Sequence, residues 1–373
     1  MKNKFTVIIL IMLSFTSIAQ ENRSINIVGI NHTISSTVLK EKRQIQVYVP
    51  DGYKNSNKKY PVIYLLDGQR FFLYGVSLYQ SFSAFNLTPD FIVVGITNSQ
   101  AKRMRTFSYN SDNFLSYLEK EVVPFVNQTY RTNNKRLLFG WAYGGGFGLK
   151  AFTKNPNLFD GYILSSTFPV SNKLENLKAL VTKQPNLKHY LYFSADQINE
   201  SSVYNEALKL DTLLQKSSAN LRWNFHKLQG EKHRSTPYTS LYHGILEYFE
   251  NYQQIFFNDL NEFNTKGGLK NVYAYYTKRS KLYDLPNELS SFTKFHIIRL
   301  AIRAHNYKQF QELIVEFNQE TLIKGLRESF LRTIGEFYVD NNKIKEAKAF
   351  YNLLIKKFPN SKRINETLKQ LNN

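Results

Sequence analysis

Seven β-rich runs interleaved with helix-forming stretches constrain this chain more than any other feature. The runs are Gln44–Val49, Val62–Leu66, Phe91–Ile96, Arg136–Trp141, Gly161–Ser165, His189–Ala195 and Arg222–Leu228. Several are unbroken apolar sequences, the pattern of strands buried on both faces of a parallel sheet. Helical stretches lie between them at Ser111–Gln128, Gly144–Lys154 and Ser202–Lys216. Alternation of strand and helix predicts an α/β fold, a mostly parallel sheet flanked by helices.

The pattern changes after about Phe263. Asn264-Thr265-Lys266-Gly267-Gly268 reads as a linker, and strand signals then cease. Residues 20 to about 262 are expected to form one domain, and residues 269–373 a small all-α domain. Within the latter, Gly335, Tyr338, Ala347, Tyr351, Leu354 and Pro359 fall in the small-and-large register of a tetratricopeptide-like repeat. Stretches around Phe295–Arg303 and Tyr307–Phe317 offer a second helix pair to stack on it.

The first residues read as an address. Lys2 and Lys4 precede an apolar run from Phe5 to Phe15, and Ser17-Ile18-Ala19 supplies small residues before Gln20. The run is short for a bilayer span, so residues 1–19 are expected to be a cleaved signal peptide. A periplasmic or secreted, bacterial protein without a membrane span follows. The chain has no cysteine, which excludes disulfides, thiol catalysis and thiolate metal sites. A formal charge of +20 is dispersed along the chain, and no motif points to specific nucleic-acid binding.

The strongest local signal is Leu138-Phe139-Gly140-Trp141-Ala142-Tyr143-Gly144-Gly145, at a strand–turn–helix junction. It has the form of the nucleophile elbow G-x-S-x-G, with Ala142 in the nucleophile position. Any side chain at the flanking glycines is expected to clash within the turn. Gly144-Gly145-Gly146 lacks the Lys and Ser/Thr of a phosphate loop, and the seven histidines show no metal-ligand spacing. Neither a cofactor nor a metal is expected.

Two longer segments place the elbow in context. Residues 41–53 read Glu-Lys-Arg-Gln-Ile-Gln-Val-Tyr-Val-Pro-Asp-Gly-Tyr, and residues 60–68 read Tyr-Pro-Val-Ile-Tyr-Leu-Leu-Asp-Gly. With Phe114–Arg131, Phe139–Phe147, Phe159–Thr167, Gly230-Glu231-Lys232-His233 and Leu241-Tyr242-His243-Gly244, they resemble the esterase D and enterochelin-esterase-like family of α/β-hydrolases. The resemblance covers residues 30 to about 250. It implies carboxylic-ester hydrolysis through an acyl-enzyme, with His233 as general base and Asp196 orienting it, Glu200 being the competitor for that role. Backbone N–H groups of Tyr143 and of Gly68 or Gln69 would form the oxyanion hole, and Trp141 and Arg70 would contact substrate. Tyr143 and Phe168 complete the candidate pocket.

An alanine cannot be activated by a histidine, so the acyl-enzyme step is lost. Two readings fit it: a chain that binds an ester, sugar-ester or siderophore-like ligand without cleaving it, or an esterase carrying a serine-to-alanine exchange. A third makes the hydrolase-like part a scaffold and gives the binding of a protein partner to the helical tail.

Overall fold

The computed structural model describes residues 28–372, residue 218 excepted. The expected signal segment, residues 1–19, lies outside the described residues. Among those described, no helix is long and apolar enough to cross a membrane.

The fold is α/β, with a helical carboxyl-terminal region. Eight strands form one sheet: β1 (Ile30–Ser36), β2 (Glu41–Tyr48), β3 (Tyr60–Leu66), β4 (Ile92–Ile96), β5 (Thr132–Trp141), β6 (Gly161–Ser165), β7 (Tyr190–Asp196) and β8 (Arg222–Leu228). Their order is β1-β2-β4-β3-β5-β6-β7-β8. The pairs β1–β2 and β2–β4 are antiparallel, and all others are parallel. Every residue of β3, β4, β6 and β7 is buried, which explains their apolar runs, broken only by Ser165, Ser194 and Asp196 toward the carboxyl ends.

Alternate residues of the central strands feed two cores. Val62, Tyr64, Leu66 and Leu138 join Phe114 and Phe147 on one face. Ile63, Leu65, Leu137 and Phe139 join Phe71, Phe72, Leu241 and Ile245 on the other. The first face is covered by Ser111–Tyr117 and Tyr143–Lys154, and the second by Gly68–Ala84 and Thr236–Tyr248.

β1 and the helix Gly68–Ala84 go beyond the sequence expectations. In the helix, a Cβ on Gly68 would lie 2.6 Å from the carbonyl carbon of Gly95, so only glycine lets it start this close to β4.

Beyond β8 and its following helix, the chain is helical from Leu260–Thr265 to Lys362–Asn372 around a separate core. The expected linker at 264–268 is not one. Asn264 and Thr265 end a helix, and Gly267 (φ 98°) and Gly268 (φ 58°) turn the chain into the helix Gly268–Tyr283. Phe263 before that turn and Val272 and Tyr276 after it are buried in the same core, which makes the glycines an internal corner. Further on, the helices Glu328–Asp340 and Ile344–Lys357 pack so closely that a Cβ on Gly335 would lie 2.7 Å from the Tyr351 ring.

Candidate functional site

β3 and β5 are neighbours, and each is followed by a residue of positive φ that opens a helix. After β3, Asp67 (φ 55°, ψ 47°) leads into Gly68–Ala84. After β5, Ala142 (φ 52°, ψ −116°) leads into Tyr143–Lys154. Two helix N-termini are thus set side by side at the carboxyl end of the sheet. Their first N–H groups, on Gly68, Gln69 and Tyr143, have no acceptor one turn back and face outward from the helix start. Arg70 and Phe71 instead donate to the Asp67 carbonyl oxygen at 2.8 and 3.3 Å.

Ala142 holds a backbone conformation that a non-glycine residue adopts at a cost on the order of 1–3 kcal/mol. Its surroundings fix it there. Its N–H donates to Ser165 O at 2.9 Å, and its carbonyl accepts from Gly146 N at 2.9 Å and Phe168 N at 3.2 Å. Gly140 lies under the turn, where a Cβ would stand 2.3 Å from the Gly144 carbonyl oxygen. Gly144 differs from its expected role: a Cβ there would have no neighbour nearer than 3.6 Å. Close packing of this helix rests on Gly146 instead, whose Cβ would meet Phe168 O at 2.3 Å.

His233 sits in the loop between β8 and Thr236–Tyr248, beside the elbow. Its ring centroid lies 4.8 Å from that of Trp141, whose indole N–H donates to the His233 carbonyl at 3.0 Å. Its Nδ1 is hydrogen-bonded with Glu200 Oε1. A carboxylate only accepts, so Nδ1 carries a proton and Nε2 is the ring nitrogen left for other partners. The imidazole is about half exposed, whereas Glu200 is buried. Ser166 Oγ donates to the other Glu200 oxygen at 2.8 Å, and the Asp196 N–H reaches it at 3.2 Å. Thr236 Oγ1 lies 2.6 Å from Ser166 Oγ and donates to His233 O at 3.1 Å, which closes the ring of contacts.

Asp196, expected to orient the histidine, is committed elsewhere. Its Oδ1 accepts from the N–H groups of Ile198 (3.0 Å) and Asn199 (2.8 Å), and its Oδ2 from that of Glu231 (2.8 Å). These backbone donors hold its carboxyl below the usual carboxylate range, Asn199 contributing most. Asp196 therefore fastens the turn after β7 to the His233 loop, and Glu200 faces the imidazole.

Arg103 escapes sequence reading, because Ala101-Lys102-Arg103-Met104 carries no pattern. Its Nε donates to Asp67 Oδ2 at 2.8 Å and its Nη2 to Trp141 O at 2.8 Å, so one buried guanidinium ties the two helix-opening turns together. Burial pushes the Asp67 carboxyl up, and Arg103 opposes that shift. Arg70 is exposed, with its guanidinium 5.6 Å above the Trp141 ring and hydrogen-bonded to Gln100. The Gln69 side-chain oxygen accepts from Asn98 N at 2.9 Å, which ties the first turn of the helix Gly68–Ala84 to the loop after β4. Tyr143 and the exposed Phe168 meet edge to face at 5.6 Å. Among the described residues no three His, Cys, Asp or Glu side chains are grouped to hold a metal ion.

The fold recurs in solved structures. An IroE-like serine hydrolase from Shewanella oneidensis is 23% identical over 78% of this chain and 100% of its own, with a TM-score of 0.59. An uncharacterised protein from Capnocytophaga ochracea is 17% identical, covers 92% of this chain and 99% of its own, and has a TM-score of 0.60. The enterobactin esterase FES from Shigella flexneri is 18% identical over 61% of each chain, with a TM-score of 0.51. Residues 36–221 match the family described as "Putative esterase". The sheet-bearing part of this chain thus has the fold of an α/β-hydrolase and its sequence is matched by the esterase family.

Proposed function

We propose that this chain binds carboxylic esters at the elbow and does not cleave them through an acyl-enzyme. The observation that supports the reading most is the pairing of a strained, buried Ala142 with an intact His233–Glu200 contact beside it. The ester carbonyl oxygen would take the N–H of Tyr143 and one from Gly68 or Gln69, donors that survive any side-chain exchange. His233 is the base without a hydroxyl to deprotonate, and Glu200 holds its tautomer. Arg70 and Trp141 flank the bound acyl or alcohol group.

The test is turnover of p-nitrophenyl butyrate by the chain and by Ala142→Ser. Activity in the serine variant alone, at least about 10³-fold above the unaltered chain, supports an assembled site lacking only its hydroxyl. Equal inertness of both against a broad ester panel removes the reading. A fluorophosphonate probe should label the introduced serine of the variant and leave the unaltered chain unlabelled.

The amino-terminal address makes the periplasm or the exterior the place of action, which amino-terminal sequencing of the exported protein checks. Phe256 and Phe292, both exposed and 6.2 Å apart, favour the second reading, in which a helical, repeat-like tail receives a protein partner.

A further inference from the structure

The parallel strands begin along the rim opposite Ala142. Two adjoining cavities, of about 420 and 340 Å³, lie between that rim and the end of the helix Gly268–Tyr283. They share Lys135, Phe249, Leu282 and Tyr283, so they form one double cleft.

Its charge is unbalanced. Lys58, Lys59, Lys135 and Lys281 line the first cavity, and Lys188 and Lys278 extend the row into the second. Among the described residues none of these six ammonium groups lies within ion-pair distance of a carboxylate. Four carboxylates line the two cavities: Asp90, Asp160, Asp284 and Glu250. Of these Glu250 alone is offset by a cation among the described residues, so six lysines face three carboxylates. Asp90 accepts from Tyr79 and Ser83 at 3.3 and 3.0 Å, Asp160 accepts Arg136 N at 2.8 Å, and Glu250 pairs with Arg222 at 2.6 Å. Like charges gathered between low-dielectric walls focus a positive potential, which an anionic ligand relieves.

The walls narrow the class of anion. Tyr252 and Tyr283 stand edge to face at 5.2 Å, and Lys135 Nζ lies 5.5 Å above the Tyr283 ring. Rings of this kind offer apolar faces with polar tips. The last carbonyls of Thr236–Tyr248 are met by the Arg222 guanidinium at 3.3 and 3.2 Å, whereas the helix Gly268–Tyr283 turns its carboxyl end toward the cleft and puts partial negative charge there. That disfavours a compact polyphosphate. It leaves room for single charges spaced along a backbone, each met by one lysine, with flat apolar faces between them.

We infer that this double cleft binds an acidic oligosaccharide carrying one carboxylate or sulfate per ring. The site is separate from the elbow and does not depend on what Ala142 does. Calorimetric titration of the full chain with an oligogalacturonate and with an oligofucose bearing one sulfate per ring and no carboxylate tests it, and the one that binds identifies the anionic group. Saturable binding of either is expected, with none for a neutral cello-oligosaccharide. Lys135→Gln/Lys281→Gln should weaken it at least about tenfold, while Lys308→Gln/Lys324→Gln, of the same net charge, leaves it unchanged. Four results overturn the inference: no binding of either oligosaccharide, no effect of the cleft pair, equal loss from both pairs, or tighter binding of inorganic polyphosphate at the same lysines.

Discussion

Trp141 holds His233 by two contacts: its indole N–H donates to the His233 carbonyl at 3.0 Å, and the two rings stand 4.8 Å apart at 38°. The last residue of β5 thereby fixes the loop that carries the imidazole next to the elbow that β5 itself ends in. Trp141→Phe keeps a ring and loses the donor. A neutral hydrogen bond contributes about 1 kcal/mol, so in the Ala142→Ser chain kcat for a p-nitrophenyl ester should fall roughly fivefold. Trp141→Leu, which loses the ring as well, should fall further. Equal rates for all three would detach Trp141 from the placement of His233.

The two carboxylates after β7 separate by a different pair of readouts. Glu200→Gln, in the Ala142→Ser chain, removes the charge, and because the Ser166 and Asp196 donors claim the amide oxygen it turns an amide N–H toward Nδ1. That reverses the imidazole tautomer and should lower kcat by about 10²–10⁴-fold. Asp196→Asn leaves the Glu200–His233 contact in place but weakens the anchorage of three N–H groups. It should cost about 1–3 kcal/mol in denaturant unfolding while activity per folded molecule stays near the parent. If Asp196→Asn abolishes turnover and Glu200→Gln spares it, the pairing read from the geometry is wrong.

This pair also marks where sequence reasoning stops. Central strands are legible because burial on both faces leaves them largely apolar runs, and the elbow because glycine spacing records a turn. β1 is not, since an edge strand with Asn31, His32 and Thr33 shows the half-polar pattern of a loop. The helix after Asp67 reads as a turn because no side chain caps it: Asp67 lies at φ 55° and makes no capping bond. Asp196 and Glu200 lie four residues apart, and only the path of the chain decides which carboxylate faces His233. Arg103 acts through its reach across to two other turns, which no local pattern encodes.

The elbow glycines are unequal, against the expectation that both flanks of Ala142 exclude a side chain. At Gly140→Ala the new Cβ would start 2.3 Å from a backbone oxygen, so the strand–helix junction must shift. A loss on the order of 1–3 kcal/mol is expected from such overpacking. At Gly144→Ala the nearest neighbours are at ordinary contact distance, and helix propensity favours alanine by about 1 kcal/mol. Its stability should match or exceed that of the parent in urea unfolding. Equal losses at the two positions would show that the turn, not the local space, selects glycine.

Acid should destabilise the fold through histidines held neutral. Burial lowers the pKa of His226 below its ordinary 6.5, with His243 (ring centroid 4.7 Å away) adding to the shift and Glu247 opposing it. Burial lowers His189 and His296 as well. The unfolded chain therefore takes up these protons at a higher pH than the folded one. Their contribution to stability is complete above the unfolded value and is lost as pH falls through about 6.5 toward the lower folded values. Thermal unfolding followed by circular dichroism should give a Tm that is level from about pH 7 to 8 and declines below about 6.5. His226→Gln should make that decline shallower without flattening it, because His189 and His296 remain. A Tm that rises as pH drops from about 7 to 5.5, or a His226→Gln slope identical to the parent's, would rule out this origin.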